Sequence, residues 1–172
     1  MLLDLSEALA CPACGPPQGV IVLVERMEDR RVIDGRLDCP VCEARFPLRD
    51  GVVDFGAAPD PERSVPAADP EDAVTAAALL GIRHGRGLVV VGSGLGAAAA
   101  QISSLCGGCE VVWLEPRGLP ADNSTEPGRV MAPGQGAVTS LLGGQAGMIP
   151  LLSEKAIGVA LEGGGEEILA EA

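Results

Sequence analysis

Cys11, Cys14, Cys39 and Cys42 form two Cys-Pro-x-Cys pairs in the first quarter of the chain. Each pair sets two thiols on one side of a tight turn, and two such turns supply the tetrahedral four-sulfur set that structural zinc prefers. Gly15, after the first pair, tolerates the positive φ that such a knuckle often needs; Glu43, in the same place after the second pair, suits it less. The other fates for four cysteines are two disulfides or four buried thiols. Disulfides fit poorly with an N-terminus, Met1-Leu2-Leu3-Asp4-Leu5-Ser6-Glu7, that carries acid where a secretory signal carries basic residues. The expectation is one structural zinc ion in a small β zinc ribbon.

A second constellation follows in the middle of the chain, at Gly92-Ser93-Gly94-Leu95-Gly96. Gly92 lets the chain turn sharply off a strand, Gly94 lets backbone approach a ligand, and Gly96 permits close helix packing. A helix starting there offers free N–H groups and the positive end of its dipole to an anionic group. Glu115 ends the next apolar run, about 20 residues past the last glycine, where a carboxylate accepts hydrogen bonds from both hydroxyls of an adenosine ribose. Loop and acid together point to an adenosine-containing ligand; the plainer reading is that small residues serve a tight strand–helix turn. Gly92-x-Gly94-x-x-Ala97 also satisfies the dinucleotide fingerprint, which keeps a nicotinamide-linked oxidoreductase open.

Two lesser signals carry less. Cys106-Gly107-Gly108-Cys109 is a third CxxC, whose glycines are accounted for as a helix stop. His84, the sole histidine, reads as a solvated loop residue with no partner for a nucleophilic triad.

The elements that must position these groups divide into three stretches. Residues 1–56 read as short strands and turns: a strand at 20–24, a turn at 27–30 leading to 31–33, a further turn at Asp34-Gly35, and two strands flanking Arg49-Asp50-Gly51. So short a segment cannot bury enough apolar surface alone, and a metal supplies the missing stability. Residues 57–70 are a proline-rich linker. Beyond it, residues 71–172 open with a helix over 71–80, with Asp69 as N-cap, Pro70 in the first turn and Gly81 as its stop. Then come a strand at 88–91, a helix over 97–105, a strand at 110–114, an irregular stretch at 116–136 and a strand at 156–161. The linker leads to the expectation that Cys39→Ser unfolds the N-terminal module and leaves residues beyond the linker comparatively unaffected.

The 172 residues are 47% hydrophobic, with aromatics at only 2%, so the core is built from Ala, Val and Leu. A net charge of −12 repels a phosphate backbone, and no interleaved aromatics offer a base-stacking surface, so no strong nucleic-acid signal is present. No apolar run approaches the roughly 20 residues needed to span a bilayer. A cytoplasmic protein with reduced thiols is the simplest expectation.

Residues 88–96 and 111–115 resemble the first two motifs of class I S-adenosylmethionine-dependent methyltransferases. Gly144-Gln145-Ala146-Gly147-Met148-Ile149-Pro150-Leu151 is similar to that family's Gly-Asp-Ala…Leu-Pro-Phe segment, and residues 153–161 to the strand after it. Residues 9–14 and 37–55, with their Phe46-Pro47-Leu48-Arg49-Asp50-Gly51-Val52 turn, resemble the small zinc-ribbon activator subunit of tRNA and release-factor methyltransferases. The resemblance implies an α/β chain: a small β zinc ribbon followed by an incomplete Rossmann-like, class I methyltransferase domain. It implies a cofactor, S-adenosyl-L-methionine, bound by Gly92, Ser93, Gly94, Gly96, Glu115 and Gln145.

The departures from the family pattern shape what is expected. Gln145 replaces an acid that contacts the adenine amino group, and its amide oxygen still accepts one hydrogen bond. Gly158 replaces the aspartate common in the fourth strand, and no Asn-Pro-Pro-Tyr-type motif is present. The chain stops near the family's fourth strand, with residues 166–172 resembling the opening of the next helix, so it reads as cut off in mid-helix. The expectation is a methyltransferase-like protein of unknown acceptor, with no catalytic residue to name, weak or inactive as this chain. The competing reading is a zinc-ribbon scaffold or activator that docks on a partner methyltransferase. A protein partner, or self-association through the open sheet edge, is expected in either case.

Overall fold

Two consecutive residues with positive φ, Asp29 (45°) and Arg30 (64°), fold the first long strand back on itself. Their twist suits a two-residue hairpin, so β1 (Ile21–Glu28) pairs antiparallel with β2 (Arg31–Asp38). Arg30 is steadied by Asp4, whose two carboxylate oxygens accept from one guanidinium nitrogen at 2.9 and 2.7 Å. Asp50 and Gly51 repeat the device, with φ of 49° and 79°, between β3 (Arg45–Arg49) and β4 (Val52–Asp54). The computed structural model describes residues 1–56, 69–115, 138–142 and 151–160. Most of the proline-rich stretch lies outside them.

Asp34-Gly35 is not a turn. Both residues lie within β2, where the register against β1 shifts around Arg26. Gly35 is needed for a different reason: a side chain there would run into the carbonyl oxygen of Leu23 on β1. The glycine marks close approach of two strands at a bulge, which is the other common use of glycine in a strand.

α1 (Pro70–Leu80) begins and ends as the sequence suggests. Asp69 accepts from the Glu71 N–H at 2.9 Å, Pro70 occupies the first turn, and Gly81 closes the helix in a left-handed conformation at φ 65°. β5 (Leu88–Val91) is buried along its whole length. A 3₁₀ turn (Ser93–Ala98) leads into α2 (Ala99–Leu105), and β6 (Glu110–Glu115) follows. β7 (Val138–Leu142) and β8 (Ala156–Ala160) complete the described strands. The sequence reading has no strand at 138–142.

The eight strands run in the order β1-β2-β3-β4-β7-β6-β5-β8. The β1–β4 half is antiparallel, the β5–β8 half is parallel, and β4 joins β7 in parallel through Val53–Leu141 and Asp54–Leu142. The protein is thus mixed α/β.

Alternation along β5 and β6 gives the parallel half two apolar faces. Val89, Val91, Val111 and Trp113 pack under α1 and α2 with Ala73, Ala76 and Ile102. Leu88, Val90, Val112 and Leu114 face the other way, into a core shared with Leu5, Leu9, Leu37, Phe46, Val53 and Phe55 from the N-terminal segment. Phe46 and Phe55 meet edge to face at 5.0 Å in that core. Leu9 bridges to Leu151, and the Leu152 N–H donates to Ala8 O at 2.8 Å. The cysteine-bearing half therefore covers one face of the parallel sheet, and the two halves share one hydrophobic core. No helix among the described residues is long and apolar enough to cross a membrane.

Candidate metal centre

Each Cys-Pro-x-Cys pair folds into the same five-residue knuckle. The Gly15 N–H donates to Cys11 O at 2.8 Å, and the Glu43 N–H donates to Cys39 O at 3.1 Å. Both closing residues take positive φ, Gly15 at 73° and Glu43 at 59°. Glu43 thus adopts the conformation for which its side chain is poorly suited, because the hydrogen bond back to Cys39 fixes the turn. Each knuckle is tied to the chain that leaves it: the Cys11 N–H donates to Gln18 O at 2.8 Å, and the Cys39 N–H to Ala44 O at 2.9 Å. Pro12 and Pro40 supply the fixed φ that suits the second position of such turns.

The four Sγ atoms lie within 4.8 Å of one another. Cys11 and Cys42 are 3.7 Å apart across the two knuckles, and Cys14 and Cys39 are 3.8 Å apart. A tetrahedron with metal–sulfur bonds of about 2.3 Å has edges of about 3.8 Å, so the four thiols are close enough to hold one metal ion. All six cysteines are free thiols. Cys11 and Cys39 belong to the shared core, at 0% and 2% exposure, while Cys14 and Cys42 face solvent.

Electrostatics around the thiols are uneven. Backbone N–H groups of Cys42 and Val41 point at the Cys39 sulfur, the latter at 3.5 Å, and draw its pKa down to about 6. Burial pushes the Cys11 thiol up, and sharing of protons with Cys42 and its neighbours pushes Cys14 up to about 12. A divalent cation among the four would override these differences, since a coordinating thiol is deprotonated outright.

The glycine loop lies at the carboxyl end of β5. The indole of Trp113 fills the space where a Gly96 side chain would be, so the loop packs directly onto β6. Trp113 is buried, and its Nε1 has no hydrogen-bond partner among the described residues. Val91 pairs with Trp113, so Gly92 and Glu115 leave neighbouring strands at the same end of the sheet. Gly94 is half-buried in the 3₁₀ turn, which also contains Ser93. Gln145 lies outside the described residues.

Cys106 and Cys109 are both buried among the residues packed around α2. Burial pushes the Cys109 thiol up to about 11, and its carbonyl accepts from Ser103 Oγ at 2.6 Å. Gly107 and Gly108, with φ of 76° and 83°, form the helix stop. His84 is exposed in the loop before β5. Comparison of the chain with protein-family models, curated proteins and solved structures finds no match.

Proposed function

We propose that Cys11, Cys14, Cys39 and Cys42 hold one structural zinc ion, and that the chain is an S-adenosylmethionine-dependent methyltransferase-like protein of undefined acceptor. Sulfur separations of 3.7 and 3.8 Å in an all-thiol set support zinc, for which such closed four-sulfur sites are structural.

The cofactor reading is carried by one observation: β5 and β6 are parallel, hydrogen-bonded neighbours, and the glycine loop follows β5 at the same end of the sheet where Glu115 ends β6 two residues further on. The parallel strands, taken in chain order, lie third-second-first-fourth across the sheet. That order is the one in which doubly wound, Rossmann-like sheets bind nucleotides at their carboxyl end. The fit of Trp113 beneath Gly96 supports it further, because the last glycine of such a loop serves close packing. When bound, S-adenosylmethionine supplies a methyl group on a sulfonium. The chain would contribute backbone approach at Gly94, the amides of Ser93 and Gly94 (that of Gly92 is given to Ala160 O), and a carboxylate at Glu115 for the ribose hydroxyls. Its thiols would require a reducing compartment, in keeping with a cytoplasmic protein.

Calorimetry on the zinc-loaded chain with S-adenosylhomocysteine and NAD in parallel tests the reading. S-adenosylhomocysteine should bind more tightly. Gly94→Val should block it, and Glu115→Ala should weaken it by about 1.5–3 kcal/mol, the worth of hydrogen bonds to a charged acceptor. Tighter binding of NAD would overturn the methyltransferase reading.

A second reading, a ribbon scaffold that docks on a separate methyltransferase, is favoured by the edge strand β1. Its Ile21, Leu23, Val24 and Met27 are exposed. Recovery of a separate methyltransferase by the chain, with no cofactor bound by the chain itself, would support this reading over the first.

A further inference from the structure

In the ribbon half, alternation puts Phe46 and Leu48 of β3 into the core and leaves Arg45, Pro47 and Arg49 on the outer face. The register sets Arg36 of β2 opposite Pro47, and Leu23 of β1 opposite Arg36. Three guanidinium groups thus share one outer surface, with Arg36 level with the midpoint between Arg45 and Arg49. At about 3.3 Å per residue, successive groups are spaced about 7 Å along the strand direction. They border an open groove of about 510 Å³, which also takes in Glu25 and Asp34.

Two of the three carboxylates nearby, Asp34 and Asp38, are already paired. Asp34 accepts from Arg26 at 2.7 Å, and Asp38 accepts from Arg36 at 3.2 Å. Arg45 and Arg49 make no ion pair among the described residues; Asp38 lies opposite Arg45 in the register but is held by Arg36. Exposed Ile21 and Leu23 lie beside them on the same face, at 54% and 40% exposure.

We propose that this outer face of β1–β3 is a docking surface for an extended, acidic segment of a partner protein, with carboxylates from alternate residues at Arg45 and Arg49. An extended peptide carries same-face side chains every two residues, about 7 Å apart, which matches the spacing of the guanidinium row. Planar, bidentate pairing of arginine with carboxylate supplies the recognition. A nucleic-acid strand matches the surface less well. Trp113, Phe46 and Phe55 are buried and the chain has no tyrosine, so the face offers no aromatic ring for a base to stack on. Glu25 and Asp34 in the groove oppose a continuous polyanion but tolerate a peptide whose charges alternate with neutral residues. The surface is separate from the cofactor loop, and its partner is independent of the cofactor's identity.

The test uses the full, zinc-loaded chain and fluorescence anisotropy of a fluorescein-labelled peptide of alternating Glu and Val. An oligouridylate of matched length is the competing probe. The peptide should bind saturably, and the double variant Arg45→Glu/Arg49→Glu should weaken it at least about tenfold, since two charge-assisted pairs are reversed. Arg45→Gln/Arg49→Gln should fall between, and Arg86→Glu, on an exposed loop elsewhere, should leave binding unchanged. Raising salt from about 50 mM to about 0.3 M should weaken binding as well, because exposed charges are screened over a few ångströms there. Unchanged zinc content and Trp113 emission establish that the variants are folded. Absence of saturable peptide binding, equal binding by the charge-reversed variant, or tighter binding of the oligouridylate would each overturn the proposal.

Discussion

On the proposed zinc site, Cys39→Ser should unfold more than the two knuckles. Structural zinc in a four-ligand site contributes roughly 10–16 kcal/mol of apparent binding energy, while a whole domain has a net stability of about 5–15 kcal/mol. The ribbon half cannot survive that loss. Its inner surface is also the cover for Leu88, Val90, Val112 and Leu114 of β5 and β6. Exposing four such side chains costs about 6–12 kcal/mol at about 1.5–3 kcal/mol each, again comparable with the whole stability. The parallel half should therefore unfold with the ribbon, in contrast to the independence that the proline-rich linker suggests. Trp113 is the sole tryptophan, and it lies on the opposite face of the sheet, under α2. Its emission therefore reports on the parallel half alone. Chelation of the wild-type protein and the Cys39→Ser variant should both shift that emission to the red and deprotect β5 and β6 in hydrogen exchange. Native Trp113 emission, with β1–β4 freely exchanging, would refute the shared-core argument.

Glu43→Gly should raise the thermal midpoint of the metal-loaded protein. Relief of a left-handed non-glycine residue is worth about 1–2 kcal/mol, and the added freedom of glycine in the unfolded chain offsets about 0.5–1 kcal/mol of it; a lower midpoint would contradict this. The α-amino group of Met1 donates to Val32 O and Gly51 O at 3.1 and 2.9 Å, and burial, aided by Arg31, draws its pKa from 8.0 down to about 5. Between these values the unfolded chain binds more protons than the folded one, so this group makes stability rise with pH from about 5 to about 8, by up to about 4 kcal/mol. Urea midpoints across that range should show the rise, and a one-residue N-terminal extension, which moves the amine, should flatten it; an identical slope in the extended chain would exclude Met1 as its source.

What the sequence makes legible here is local. The Cys-Pro-x-Cys turns, the Asp69 and Gly81 caps of α1, and the Asp50-Gly51 hairpin each depend on residues within one turn of each other. Their hydrogen bonds appear where spacing places them. Short β-branched runs, as in β5 and β6, are legible for a similar reason, their composition. Asp34-Gly35 carries a turn signal but sits in a strand, because what Gly35 answers to is Leu23 on β1, a contact that no local pattern encodes. β7 is only five residues of Val, Thr, Ser and Leu, and its place between β4 and β6 depends on pairing with strands remote in sequence. Positive φ at Glu43 follows from its hydrogen bond back to Cys39, against the residue's own preference. Of the candidate site, the four thiols are legible by type and spacing alone, whereas the pairing that sets Gly92 and Glu115 at the same end of the sheet needed the β5–β6 register.

The bridge between Leu9 and Leu151 ties together nearly opposite ends of the chain, and it bears on the order of events during synthesis. The knuckles and the β1–β4 hairpins are local, so they can close as soon as the first third of the chain is made. Their inner surface then waits for β5, β6 and β8, which are made much later, and contacts of such long range form slowly because loop closure precedes any gain from them. In that interval Leu5, Leu9, Phe46 and Phe55 have no cover, and an exposed apolar sheet is the kind of species that aggregates. Early metal capture would hold the hairpins in register through this delay. The yield of folded protein should thus be set by metal available while the chain is being made, which metal added to a finished, collapsed chain would not restore.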